Sequence, residues 1–318
     1  MYSLGSYLAM LSDETRVAAY AGAIRALVKT GDRVIEVGAG FGYFSVLAAR
    51  AGAARVDAVE LNPVVHLGPR IAAANGLADR IRFHEADALQ FDPDARADVL
   101  LGDLRGPTPF SGRAIETLID ARTRMLKAGG IMIGRRDVLY CAPSRRPRAF
   151  DERITAPLSR LGVDLSAVAA VVSATPFAST IAPDRLFAPG APWGEIDYLT
   201  VESPHHRGAA EWRLPDGGDV EGFAIWFEGE LGAGFGFSTA PGLPVTTYGQ
   251  LFVPFKSVVA VEPSEVLRVE LSVHLVSREY VWVWTVRVRK ADGTERMVRY
   301  ENSMAERVID PAAFRNAL

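Results

Sequence analysis

The sequence predicts an α/β domain followed by a β-rich domain, and three observations support this fold class. Short apolar stretches alternate with helical patterns in the first half of the chain. A glycine-rich turn directly follows the first of these stretches. Beyond about Pro143 the helical patterns give way to long β-prone stretches. We therefore expect one domain over residues 1–143 and a second over residues 144–318.

The first domain alternates strand and helix patterns. Helical spacing of apolar residues covers 13–30, 43–51 and 114–126. A short apolar run, typical of a buried parallel strand, covers 34–37. Four further strands are predicted at 55–60, 81–85, 97–103 and from residue 131 onward. Such alternation predicts a Rossmann-like parallel sheet with right-handed crossovers.

The second domain is predicted to be an antiparallel barrel or sandwich. Its first part, about 155–193, contains short helical pieces broken by prolines. The β-prone stretches that follow are 198–201, 222–227, 234–237, 250–253, 266–274 and 280–288.

Composition excludes several classes of function. The net charge of −3 gives no basic footprint for nucleic acid. No run of about 18 apolar residues predicts a membrane span, and the N-terminus has no targeting pattern. The single cysteine, Cys141, indicates a reducing cytoplasm rather than a disulfide framework. The histidines have no metal-ligand spacing, so we expect no metal.

The turn after the first strand predicts a cofactor site. It contains Gly38, Ala39, Gly40 and Gly42, and small residues let the backbone turn sharply and approach a ligand closely. The spacing differs from the dinucleotide fingerprint, in which two residues precede the third glycine. It favours a sulfonium nucleoside, S-adenosyl-L-methionine, over nicotinamide cofactors, which remain a distant alternative.

Acidic residues at strand ends extend this prediction. Glu60 closes the second strand beside Leu61, and 60 − 42 = 18 residues separate it from the last glycine. A carboxylate there can accept hydrogen bonds from ribose hydroxyls. Glu36 precedes the turn, and Ala86 and Asp87 follow the third strand, near the expected adenine. Alternatively, Glu36 is a plain strand-end carboxylate and Asp87 a helix N-cap.

At this point the sequence resembles the protein arginine methyltransferase family over almost the whole chain. The similar segments are 10–16 (Met-Leu-Ser-Asp-Glu-Thr-Arg), 34–44, 59–60, 161–166 and 237–250. The resemblance implies a class I methyltransferase domain, a β-barrel and a homodimer formed through a helical arm at about 155–193. It also implies that Arg16 binds the cofactor carboxylate.

The departures from the family concern the acceptor. The family holds a substrate guanidinium between two glutamates on the loop after the fourth strand. Here Asp103 takes the first position and Gly112 the second. Glu116, one helical turn further on, is a candidate replacement for the second carboxylate. The family's Thr-His-Trp loop is Thr246-Thr247-Tyr248, so the histidine that pairs with the family's aspartate is absent.

These departures predict altered acceptor chemistry. One carboxylate suits an amine better than a guanidinium, because a guanidinium presents a planar set of donors. We expect Asp103 to be catalytic, with Phe110 and Tyr248 walling a pocket for a small molecule or peptide. Packing in the barrel is the alternative role for these aromatics. O-methylation and a non-catalytic cofactor-binding scaffold remain the alternative functions.

Overall fold

The computed structural model describes residues 2–156, 162–166, 168, 171 and 175–302. The N-terminal part comprises α1 (Leu4–Leu11), α2 (Glu14–Leu27), β1 (Arg33–Val37), α3 (Tyr43–Arg50), β2 (Arg55–Glu60), a 3-10 helix (Pro63–Leu67), α4 (Gly68–Ala74), β3 (Ile81–Glu85), β4 (Ala97–Gly102), α5 (Ala114–Met125) and β5 (Leu126–Ile133). The strands form one parallel sheet in the order β3-β2-β1-β4-β5.

The remaining chain forms two antiparallel sheets. Its elements are β6 (Arg136–Ser144), α6 (Arg148–Phe150), a π-helical turn (Asp151–Thr155), β7 (Phe177–Ser179), a 3-10 turn (Pro183–Arg185), β8 (Ala191–Asp197), β9 (His206–Arg213), β10 (Gly218–Gly232), β11 (Phe235–Ser238), β12 (Gln250–Val261), β13 (Val266–Val276), β14 (Glu279–Arg289) and β15 (Glu295–Asn302). One sheet has the order β7-β12-β10-β6-β8, with β11 beside β10, and the other β15-β14-β13-β9. The predicted fold class is confirmed.

The change from the parallel to the antiparallel sheets comes earlier than expected. Strand β6 pairs with β10 and β8, so residues 136–144 lie in the second unit. The expected boundary at Pro143 therefore falls inside a strand. The strand expected at 198–201 is also wrong, because β8 ends at Asp197 and Thr200 N–H donates to the Asp197 carbonyl in a turn.

The helical arm expected at about 155–193 does not extend beyond Phe177 in the part of this segment that the structure describes. From Phe177 the chain pairs as β7 with β12, and the Phe177 ring packs against Phe150 with centroids 5.5 Å apart. Val168 and Val171 are exposed. Leu161 and Val172, in the same expected arm, lie outside the described residues. In the part of the chain that is described, no helix combines the length and apolar character of a membrane span.

Candidate active site

A cavity of about 930 Å³ opens at the carboxyl ends of β1, β2 and β4. Ligands of open α/β sheets bind at this edge. Nine of the predicted cofactor residues line it: Arg16, Glu36, Gly38, Ala39, Gly40, Glu60, Leu61, Ala86 and Asp87. Asp103 and Tyr248 line it as well.

The turn after β1 has the positive φ angles that glycine adopts without strain. Gly38 and Gly40 have φ angles of 76° and 57°, a region that other residues adopt at a cost. A Cβ on Gly40 would lie 2.9 Å from Cε1 of Tyr7. Gly42 is a correction to the prediction: it precedes α3 as its N-cap and packs against Phe83, away from the cavity lining.

Glu60 holds the turn while facing the cavity. Its Oε2 accepts a hydrogen bond from Gly40 N–H at 2.9 Å, and its Oε1 accepts one from Asn62 N–H at 2.7 Å. Each carboxylate oxygen has a second lone pair. The side chain can therefore support the turn and accept further hydrogen bonds from a ligand.

Glu36 lies on the floor of the cavity and is buried. It accepts a hydrogen bond from the Ser45 hydroxyl. Burial raises the pKa of Glu36 to about 8, although the Ser45 hydrogen bond and Arg16 act in the opposite direction. Asp87, which follows β3, accepts a hydrogen bond at Oδ1 from Leu89 N–H at 3.0 Å. This carboxylate therefore also stabilises its own turn.

Helix α1 forms a wall of the cavity that the sequence did not predict. Tyr2 and Tyr7 line the cavity, and their rings meet edge to face with centroids 5.9 Å apart. Burial, and then the charge of Glu60, raise the pKa of Tyr7 to about 12, so its hydroxyl is neutral near pH 7. The two tyrosines, five residues apart near the start of the chain, were the available signal in the sequence.

Asp103 lies in a buried cluster with Arg16 and Tyr248. Its Oδ2 accepts from Arg16 Nε and from the Tyr248 hydroxyl, both at 2.6 Å. Arg16 Nε also donates to the Tyr248 hydroxyl at 2.9 Å. The structure thus brings together Arg16, Asp103 and Tyr248. By the resemblance, they match the family's carboxylate-binding arginine, its first guanidinium-binding glutamate and the last residue of its Thr-His-Trp loop.

Arg105 is a cavity residue in contact with Asp103 that the sequence did not predict. Its Nη1 donates to Asp103 Oδ1 at 3.2 Å and to the Tyr20 hydroxyl at 2.8 Å. Its Nε donates to Asp137 Oδ2 at 2.7 Å, and that oxygen also accepts from the Tyr198 hydroxyl. An arginine between the predicted Asp103 and a Gly-Pro turn was the only local hint.

These arginines control the protonation of Asp103. Burial alone would raise the pKa of this carboxyl group, but Arg16 and Arg105 outweigh it and hold the pKa below its usual range. Asp103 is therefore ionised near neutral pH. It can accept hydrogen bonds, but it is a weak base.

Two residues that were candidates for contact with the methyl acceptor, Phe110 and Glu116, do not line the cavity. Phe110 is absent from the cavity lining and packs in an aromatic cluster with Trp193 and Trp282, with centroids 6.0 and 5.5 Å apart. It fills the boundary between the loop after β4 and the barrel. Glu116 pairs with Arg113 at 2.6 Å and does not line the cavity, so it does not replace the missing carboxylate here.

The loop before β12 is tied to the first domain by Asp13. Its Oδ1 accepts from Arg16 N–H at 2.9 Å as the N-cap of α2, and its Oδ2 accepts from Thr247 N–H at 2.7 Å. Asp13 thus pairs with a backbone amide, whereas the matching aspartate of the resembled family pairs with a histidine side chain.

The family model that matches the chain is the TRM5/TYW2 methyltransferase domain, over residues 12–133. An arginine N(omega)-methyltransferase of Streptomyces achromogenes subsp. streptozoticus is 28% identical over 83% of this chain and 75% of the relative. A probable protein arginine N-methyltransferase 6 of Arabidopsis thaliana is 27% identical over 72% of this chain, which spans about half of that relative (54%).

Solved structures show the same fold. Protein arginine methyltransferase 10 of Arabidopsis thaliana has a TM-score of 0.81 at 20% identity, covering 94% of this chain and 97% of its own. The Trypanosoma brucei PRMT1 enzyme–prozyme complex with AdoHcy has a TM-score of 0.82 at 18% identity, covering 94% and 98%. Together the comparisons confirm the predicted resemblance.

Proposed function

We propose that this divergent relative of the protein arginine methyltransferases, an S-adenosylmethionine-dependent methyltransferase, methylates a nitrogen atom of an amine or guanidine. The observation that carries the proposal is the place of Asp103. It lies at the cavity wall next to Arg16, and among the described residues its Oδ1 accepts a hydrogen bond only from Arg105, at 3.2 Å. An acceptor N–H can use the remaining lone pair.

The residues around the cavity suit the cofactor. The glycine turn leaves room for close approach, Glu60 can bind the ribose, and Arg16 can bind the carboxylate with its terminal nitrogens, since Nε is already used by Asp103 and Tyr248. The bound cofactor supplies an electrophilic methyl group. The protein then needs mainly to align and desolvate the nucleophile.

In this proposal, Asp103 orients the acceptor nitrogen. Because Arg16 and Arg105 hold it ionised, it accepts a hydrogen bond from the acceptor nitrogen instead of taking its proton. One available carboxylate favours an amine, whereas the name of the Streptomyces relative favours the terminal nitrogen of an arginine. A Cβ on Gly112 would meet nothing within 4 Å, so the rim has room for a bulky small molecule or a peptide.

The test is methyl transfer from labelled cofactor to a panel of amines and guanidines, followed by Asp103→Asn. We expect the variant to lower turnover by about 10²-fold, because the acceptor is no longer oriented, while its affinity for S-adenosylhomocysteine is retained. Asp92→Asn, in an exposed loop, is the matched control and should not change turnover. Near-normal turnover in Asp103→Asn would contradict the role of Asp103, and methyl groups found on oxygen would contradict N-methylation.

A further inference from the structure

Arg105 brings a second cation to the acceptor end of the cavity. It lies two residues beyond Asp103 in the loop after β4, its side chain is 2% exposed, and it lines the cavity. Its guanidinium carbon is 5.4 Å from the centre of the Tyr198 ring and 5.8 Å from that of Phe227. Aromatic rings and hydrogen bonds therefore fix this side chain from several sides.

The charged residues at the acceptor end of the cavity do not favour the binding of a cationic acceptor. The charged residues that line the cavity are the cations Arg16, Arg105 and Arg113 and the anions Glu36, Glu60, Asp87 and Asp103. At this end Asp103 is in contact with two of the cations, Arg16 and Arg105. Asp137 balances Arg105 but is fully buried behind it and is not part of the lining. Gly112, in the position of the family's second carboxylate, adds no charge.

We propose that Arg105 determines acceptor specificity by restricting the site to a nitrogen that enters uncharged, as in a neutral amine. This inference rests on the proposed N-methyltransferase function and narrows it. A cation brought into a poorly hydrated site loses its hydration, and a wall with excess positive charge does not compensate this loss. A neutral amine needs no such compensation and already has the lone pair that attacks the methyl carbon.

Arg105 acts by its charge on which acceptor enters and takes no part in methyl transfer, so it is a specificity-determining residue and not a catalytic one. A purely structural role, as a link between the loop after β4 and strand β6, would make its replacement lower stability. Such a role would not change the preference between a charged ligand and a neutral ligand of the same shape. The test therefore compares two isosteric probes that differ in charge.

The probes are N-benzylguanidine, a cation, and N-benzylurea, its neutral counterpart, titrated into the full chain saturated with S-adenosylhomocysteine. We expect the wild type to bind the urea about tenfold more tightly. Arg105→Met should lower this ratio about tenfold, and Arg105→Lys, which keeps the charge, should retain it. Because Arg105→Met leaves Asp137 without a buried cation, the pair Arg105→Met with Asp137→Asn is measured as well.

The control is Arg33→Met, which removes a similarly paired arginine from Asp57 on the opposite edge of the sheet and should leave the ratio unchanged. The inference would be overturned by tighter or equal binding of the guanidine by the wild type or by no binding of the urea. It would also be overturned by an unchanged ratio in both Arg105→Met and the pair Arg105→Met with Asp137→Asn. Binding is read without catalysis. A failure of the acceptor panel with an intact charge preference would therefore point to the proposed function instead.

Discussion

At the scale of residues, the site is built on alternating buried charges. Arg16, Asp103, Arg105 and Asp137 form a continuous chain of ion pairs with separations of 2.6, 3.2 and 2.7 Å. Buried pairs add little net stability, but removal of one member leaves an uncompensated charge. The chain links α2, the loop after β4 and β6, so its main consequence is the fixed position of Asp103 relative to the cofactor turn.

Glu60→Ala tests the cofactor site. We expect it to weaken binding of S-adenosylhomocysteine by about 2 kcal/mol, because charge-assisted hydrogen bonds to the ribose are lost. Calorimetry measures the affinity, and a melting curve reports any loss of the turn contact to Gly40. Glu195→Ala, at an exposed glutamate of β8, is the control. An affinity equal to that of the wild type would exclude Glu60 from ribose binding.

Glu36→Gln tests the buried carboxyl group. The pKa of Glu36 is raised to about 8 from its usual 4.5, so the folded chain binds this proton more tightly than the unfolded chain. The free energy of unfolding contributed by Glu36 therefore falls as pH rises from the usual value toward 8. We expect Glu36→Gln to remove this fall between pH 6 and 8 in denaturant titrations. Parallel pH profiles of the two proteins would contradict the raised pKa.

At the scale of elements, local patterns predicted the parallel sheet well and the barrel less well. Strands β1 and β4 are mostly apolar, and β2 and β3 place apolar residues between polar ones. All four are followed by turns, so their own sequence identifies them. Strand β9 was missed because it contains glycine, alanine and charged residues, and its strand conformation comes from pairing with β13. Strand β8 was missed for a similar reason, since it contains Pro192 and Gly194.

The same distinction applies to the site. The glycine turn and Glu60 follow strand ends, where the topology rule places them without any knowledge of tertiary contacts. The positions of Arg105 and Tyr7 depend on contacts with residues that are distant in sequence. Arg105 pairs with Asp137, and Tyr7 lies beside Gly40. Phe110 was assigned to the cavity because it follows Asp103 closely in sequence, but its loop turns toward the barrel.

Asp13→Ala tests the link between α2 and the loop before β12. Asp13 is buried and accepts one hydrogen bond from the first turn of α2 and one from Thr247. We expect its loss to lower the free energy of unfolding by about 2 kcal/mol, measured by denaturant titration. Ser3→Ala, which removes the exposed N-cap of α1, should cost clearly less. Equal effects of the two variants would show that the contact to Thr247 adds nothing.

At the scale of the whole molecule, the two units meet at the active site. The parallel sheet provides the cofactor turn, and the barrel side provides Tyr248, Asp137 and Tyr198, which complete the surroundings of Asp103 and Arg105. The exposed apolar residues Val168 and Val171 lie between β6 and β7 in sequence. Exposed apolar residues that come together in a contiguous patch indicate an interaction surface.

We expect the chain to form a homodimer through this segment. Light scattering at micromolar concentration should give twice the mass of the chain, and Val168→Glu with Val171→Glu should shift the mass toward the monomer, because burial of the new charges is costly. Val258→Glu, at a valine of β12 that is 50% exposed, is matched in residue type and exposure and should leave the dimer intact. A monomeric wild type would refute the homodimer. A dimer that survives the double variant would place the interface on another surface.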